Sequence, residues 1–238
     1  MVSSLLAIIL ALATSYSEAV ITENRSVSGF TAVDSAGPFI VIVDLTGTES
    51  LRIDADIDET NADYANASKA LITTVENQKL KIYFEWPYSQ DDGRFAGLIR
   101  ITITAITLQG ITLSGAGSVM VNTPLTGPAV SVVTSGSGNV TLPVKTSDLS
   151  IVLSGTGNVY PSGTTSTLSV VINGAGGVAG SNLQADSVSA SVYGAGNAVV
   201  NANRMLSAVL MGSGVVKYRG AAVLNQVNMG SGHVSHIA

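Results

Sequence analysis

Cysteine is absent from this chain of 238 residues, which excludes a disulfide framework and thiolate-bound metal centres. Aromatic residues are scarce at 5% and charged residues at 11%, and the net charge is −5. No segment clusters Lys and Arg with aromatics, so nucleic acid is not an expected partner, because affinity for phosphate backbones comes from cationic neutralisation. Long apolar runs are also missing. Beyond residue 19 no uncharged run reaches eighteen apolar residues, so no transmembrane segment is expected in the mature chain.

What remains is aliphatic and glycine-rich. Hydrophobic residues reach 46%, mostly Val, Ile, Leu and Ala, and there are 25 glycines. A β-branched, aromatic-poor composition with many turn formers favours strands joined by tight turns over helices.

The first residues read as an export signal spanning 1–19. Leu5 to Ala13 is an apolar core too short to span a bilayer, and Ser17-Glu18-Ala19 gives a small-x-small cleavage pattern. No Cys follows, so a bacterial lipoprotein anchor is excluded. The mature protein is therefore expected outside the cytoplasm, in the periplasm, at the cell surface or secreted.

Charge then divides the chain near residue 105. Residues 1–104 hold 14 of the 16 carboxylates and 7 of the 11 Lys and Arg. Past that point the only charged residues are Lys145, Asp148, Asp186, Arg204, Lys217 and Arg219. The expected organisation is a 20–104 β region, forming first coils or a cap, and a repeating 105–238 unit. Strands are expected at Phe39–Val43, Leu51–Asp56, Leu80–Phe84 and Leu98–Ile103, with Asn77-Gln78 and Asp91-Asp92-Gly93 as turns. Residues 58–70 read as a short helix or a polar loop.

The repeat is a Gly-x-Gly step. It occurs at Gly115-Ala116-Gly117, Gly136-Ser137-Gly138, Gly155-Thr156-Gly157 and Gly174-Ala175-Gly176, then at Gly194-Ala195-Gly196, Gly212-Ser213-Gly214 and Gly230-Ser231-Gly232. Successive first glycines are 21, 19, 19, 20, 18 and 18 residues apart, a near-constant period that signals a solenoid. Aligned on that glycine, the fourth residue on is Val119, Val140, Val159, Val178, Ala198, Val216 and Val234. Six residues before stand Val130, Leu149, Leu168, Val188, Leu206 and Leu224. Two before stand Leu113, Thr134, Leu153, Ile172, Val192, Leu210 and Asn228. Apolar columns alternating with Ser, Thr and Asn have period two, that of a half-buried strand. Stacked in register, seven coils would rise about 34 Å at the strand spacing.

Two physical reasons favour glycine at such a corner: a positive φ, and the crowding of corners stacked at strand spacing. A phosphate-binding loop is the rival. The step lacks the third glycine of a dinucleotide fingerprint, since position 179 is Ala, and no helix follows. No Walker-type sequence occurs, so no cofactor is expected. In the last coil Gln226 and Asn228 replace apolar residues, and residues 221–238 read as a C-terminal cap that discourages end-to-end pairing.

Arg25-Ser26-Val27-Ser28-Gly29-Phe30, Leu51-Arg52-Ile53-Asp54-Ala55-Asp56 and Asn77-Gln78-Lys79-Leu80-Lys81-Ile82, followed by serial Ser-Gly-x-Gly turns, resemble the putative auto-transporter adhesin head family, the GIN domain or DUF2807. The resemblance covers about residues 25–232. It implies a right-handed parallel β-helix, pectin-lyase-like but without lyase catalytic residues, and a role in cell adhesion. Autotransporters that export themselves carry a C-terminal membrane barrel, and none is expected after residue 232. Residues 57–70 are longer and more polar than the link usual in the family.

Candidate chemistry is thin. Asp148 and Asp186 are the only carboxylates of the repeat, two coils and about 10 Å apart by strand spacing. They carry the alternative reading, a polysaccharide-degrading enzyme. His233 and His236, the only histidines, stand in the terminal coil with no nucleophile elbow. Asp54, Asp56 and Asp58 share one strand face, but Glu59 and Ala65 stand where a calcium loop needs Gly and Glu. They read as a solvated face, and no metal is expected. Thr-x-Thr, as at Thr102-x-Thr104, does not recur from coil to coil as the rows of an ice-binding solenoid would. The preferred reading is a non-catalytic, exported β-helix that presents stacked Ser, Thr and Asn to surface glycans or cell-envelope components. Tyr160, Tyr193 and Tyr218 are the repeat's only aromatics and its candidate ligand contacts, with Tyr160 and Tyr193 in different outward columns.

Overall fold

The computed structural model describes residues 21–56, 70–85, 95 and 97–237. The export segment, Asp58 and the Asp91-Asp92-Gly93 turn lie outside the described residues, as does nearly all of the 58–70 stretch. No helix among the described residues is long and apolar enough to cross a membrane.

Strands dominate, and stacked parallel pairing makes a β-solenoid of about 7 turns with a period near 19 residues. In chain order the strands are β1 (Ile21–Arg25), β2 (Ala32–Ala36), β3 (Ile40–Leu45), β4 (Ser50–Ala55), β5 (Leu71–Glu76), β6 (Lys79–Phe84) and β7 (Ile99–Ala105). There follow β8 (Gly110–Leu113), β9 (Ser118–Val121), β10 (Leu125–Thr134), β11 (Asn139–Leu153), β12 (Asn158–Ile172) and β13 (Gly177–Val192). The last are β14 (Asn197–Leu210), β15 (Val215–Arg219), β16 (Val223–Asn228) and β17 (His233–His236).

All three apolar columns become ladders. Val119 pairs with Val140, Val140 with Val159, Val159 with Val178, and the series runs on through Ala198 and Val216 to Val234. The Val130-to-Leu224 and Leu113-to-Asn228 columns pair in the same way. Within β11, Val140, Leu142, Val144, Thr146, Leu149, Ile151 and Leu153 are buried, while the residues between them face out or lie half-exposed. That alternation follows from the strand period, and the stack supplies the core that a single coil lacks.

The glycine step is a corner, but only one of its two expected causes operates. None of the fourteen glycines of the seven steps has a positive φ. A Cβ on Gly155 would lie 1.9 Å from the carbonyl oxygen of Gly136, and one on Gly157 would lie 1.9 Å from that of Gly138. Corners stack directly over one another, so backbone of the preceding coil occupies the space a side chain would need. Crowding alone demands glycine here.

Upstream of residue 105 the chain joins the same sheet, out of sequence order. β2 and β3 stack on β8 and β9, so Val33, Ser35 and Val41 stand in register with Ile111, Leu113 and Val119. The corner between them is Gly37-Pro38-Phe39, in which Phe39 replaces the second glycine. β6 and β7 stack beyond this coil, and β5, β4 and β1 close the end as antiparallel strands. Asn77 and Gln78, with φ of 50° and 59°, form the tight turn between β5 and β6 that their position in the sequence indicates.

Candidate functional site

Each coil has a second corner, opposite in sequence to the glycine step. At Ser147-Asp148 two successive residues point outward, which breaks the strand alternation and bends the chain. Buried threonines hold this bend. Thr146 Oγ1 donates to the Gly127 carbonyl at 2.9 Å and to that of Asp148 at 3.3 Å. Thr165, its neighbour in the next coil, donates to Ser147 O at 3.1 Å and Thr167 O at 3.0 Å. A threonine buried beside a bend satisfies backbone carbonyls that a purely apolar corner would leave bare.

Along this corner runs a groove of about 390 Å³. Lys145, Thr164 and Gln184 form one ladder along it, paired strand to strand, and Ser166, Asp186 and Asn203 add a second set of polar groups. The groove thus offers one ammonium, one carboxylate, two amides and several hydroxyls, with no aromatic wall. Such a set can hydrogen-bond a neutral or weakly charged polar ligand.

The sequence candidates are scattered. Tyr160 projects from β12 in a column with Thr141 and Met120, beyond a glycine step, and is 42% exposed. Tyr193 stands immediately before Gly194 and is 46% exposed. Tyr218 occupies an inward position of β15, in register with Val200, and packs edge-on against His236 with ring centroids 5.0 Å apart. The three do not form one platform. His236 also hydrogen-bonds the Gly220 carbonyl at 3.1 Å, which ties down the terminal coil. Asp148 borders a shallow hollow with Gln109, Ser131 and Ser169, whereas Asp186 lines the corner groove, so the two carboxylates open onto different depressions.

Asp54 is held within the structure. Its carboxylate accepts hydrogen bonds from Arg52 Nε at 2.9 and 3.0 Å and from Thr22 Oγ1 at 2.8 Å, and Arg52 Nη2 lies 2.7 Å away. The hydrogen bond from Arg52 holds the Asp54 carboxyl below the usual carboxylate range, against the opposing effect of burial. No group of three or more metal-ligating side chains occurs among the described residues.

The outward surface is less uniform than a polar face. Ahead of each glycine step, the exposed or half-exposed ladder Ser131, Ser150, Ser169, Ser189 and Ser207 runs beside half-exposed Val133, Val152, Val171 and Val209. The corner groove went unread in the sequence, although a signal existed. Lys145, Thr164 and Gln184 each lie ten residues before the first glycine of their step.

The family described as putative auto-transporter adhesin, head GIN domain, matches residues 29–222. A putative adhesin from Bacteroides fragilis has the same fold, with a TM-score of 0.80 and 26% identity over 93% of this chain and 98% of its own. A putative lipid binding protein from Parabacteroides distasonis superposes with a TM-score of 0.71 at 21% identity, covering 92% of this chain and 97% of its own. A putative adhesin from Parabacteroides merdae gives a TM-score of 0.66 at 18% identity, over 92% and 96% respectively. At those last two identities the likeness concerns fold alone. No curated protein matches the sequence.

Proposed function

Since the chain belongs to the putative auto-transporter adhesin head GIN domain family, we propose that it is an exported, non-catalytic binding head whose second-corner groove takes a glycan of a cell surface or envelope. The observation that carries this reading is the Lys145, Thr164 and Gln184 ladder lining one groove together with Ser166, Asp186 and Asn203. Sugars are bound by convergent hydroxyl, amide and charged groups, and a repeating ladder suits a repeating polymer. Separation of Asp148 from Asp186 supports binding over cleavage, because glycoside hydrolysis needs two carboxylates flanking one bond.

A glycan array and a cell-binding assay on the full chain test the proposal. Binding to envelope or host glycans is expected, with at least a tenfold loss in a Lys145→Ala, Gln184→Ala double variant that keeps its circular dichroism spectrum. An absence of binding to any glycan would reject it. Release of unsaturated or reducing products from uronic-acid polymers, abolished by Asp186→Asn, would replace it with an enzyme.

A further inference from the structure

The last three coils differ from the rest in charge and in surface. Residues 187–238 contain Arg204, Lys217 and Arg219 and no Asp or Glu, in a chain whose net charge is −5. All three cations are exposed, and none enters an ion pair among the described residues. The same coils carry most of the exposed large apolar side chains. Tyr193, Met211 and Met229 are 46%, 47% and 64% exposed, Met205 and Val223 are 55% and 75%, and Val227 is 49%.

These residues form columns. Met205 pairs with Val223, Val209 with Val227, and the backbone nitrogens of Met211 and Met229 bond to Val192 and Leu210 of the coils before them. Earlier coils fill the position of Tyr193, Met211 and Met229 with Ser114, Ser135, Ser154 and Asn173. The change from hydroxyl and amide to thioether and ring is thus confined to one end. Contiguous exposed apolar surface marks an interaction site. The cations decide its partner. Arg204 sits beside Met205 at the second corner, and Lys217 and Arg219 project from β15, one strand spacing from the terminal β17. The apolar side chains lie on or beside the outward face of β14 and β16, so an approach with that edge of the last coils leading brings them and the three cations toward one plane.

We infer that the C-terminal end of the solenoid docks on an anionic phospholipid surface. Met205, Met211, Val223, Val227 and Met229 enter the headgroup boundary, and Arg204, Lys217 and Arg219 meet the lipid phosphates. Interfacial binding combines these two terms, buried apolar area and attraction to anionic lipid, and depth is compatible. The terminal two strand steps span about 10 Å, matching the ~5–10 Å to which interfacial apolar groups are buried. Asp186, beside Asn203 in the corner groove, is the one carboxylate side chain of these coils among the described residues, and it forms no ion pair with any of the three cations, so they lose little other interaction on docking.

Co-sedimentation of the full chain with large unilamellar vesicles tests this. Binding is expected to vesicles of 70% phosphatidylcholine and 30% phosphatidylglycerol, to be absent with phosphatidylcholine alone, and to fall steeply between 0.1 and 0.5 M NaCl. Each cation contributes about fivefold in partitioning, so Arg204→Gln, Lys217→Gln, Arg219→Gln together reduce binding by roughly a hundredfold. A Met211→Ser, Met229→Ser variant, altered only on exposed side chains, also weakens it, whereas Lys79→Gln at the opposite end does not. No sedimentation with the anionic vesicles, or sedimentation unchanged in the triple variant, would overturn the inference. So would self-association through the same methionines in a chain that ignores vesicles, which would make the patch a contact between copies.

Discussion

The two ends of this solenoid solve one problem by different means. At the N-terminal end three antiparallel strands close the stack over an aromatic cluster, in which Phe84 stands 5.1 Å from Phe39 and 5.5 Å from Phe95 between ring centroids. Every salt bridge found among the described residues lies here, including Arg25 with Glu23 and Arg52 with Asp54. The Glu49 carboxylate additionally accepts from the backbone nitrogens of Gly29 and Phe30. The repeating coils use neither rings nor ion pairs. They rely on aliphatic ladders and on corners from which side chains are excluded. A repeat can be stabilised by identical neighbours, whereas an end has no neighbour and must be built from individual contacts. At the other end Gln226 and Asn228 terminate the apolar columns, and His236 packs beneath Tyr218.

The contrast can be broken most severely at a corner. Gly155→Val places a Cβ against the Gly136 carbonyl and is expected to cost at least about 3 kcal/mol, seen as loss of hydrogen-exchange protection across Leu149–Leu153 and the coils on either side. Phe84→Ala attacks the other end. Removing a buried ring that touches two others costs about 3–5 kcal/mol, and limited proteolysis should then open the chain before residue 105 while the later coils stay intact.

Acid separates the two regions without mutation. The folded Asp54 carboxyl titrates below its ordinary value because of Arg52, so the stability it adds is complete above the unfolded carboxylate value of about 3.9 and is lost as pH falls through the folded value. Protection of β4 should therefore decline on acidification from pH 6 to pH 3 while that of β12 holds, and Asp54→Asn should remove the difference. The smallest effect is expected at Ser150→Ala. This partly exposed hydroxyl sits in a column of serines, and its loss should change stability by less than about 0.5 kcal/mol, within the error of a denaturant titration.

Legibility followed the same division. Column positions counted from one glycine forecast the three apolar ladders of the later coils, because a stack in register converts sequence spacing directly into spatial neighbours. The coil at Gly37 escaped that count. Its second glycine is Phe39, and its stacking partner β8 begins after a long excursion through β4 to β7, although Val41 stands four residues past Gly37 as the rule requires. Of the candidate site, Asp186 stands out as one of the repeat's two carboxylates, but the ladder of Lys145, Thr164 and Gln184 does not, because only their spacing from the glycine, and no shared residue type, links the three. Tyr218 misled for the opposite reason. Its chemistry makes it a candidate ligand contact, while its place in the Val200 column turns it inward.

The central claim is that the Gly-x-Gly step is architecture imposed by crowding and owes nothing to backbone conformation or to a bound phosphate. Thermal melting of Gly155→Ala beside Gly47→Ala tests it most directly. Gly47 has φ of +81° and open space around an added Cβ, so alanine there pays only the conformational cost of about 1–2 kcal/mol, a drop of about 2–8 °C. Gly155 lacks a positive φ but has the Gly136 carbonyl 1.9 Å from its would-be Cβ. The account predicts a fall of more than about 10 °C for Gly155→Ala. A melting temperature for Gly155→Ala equal to or above that of Gly47→Ala would contradict it.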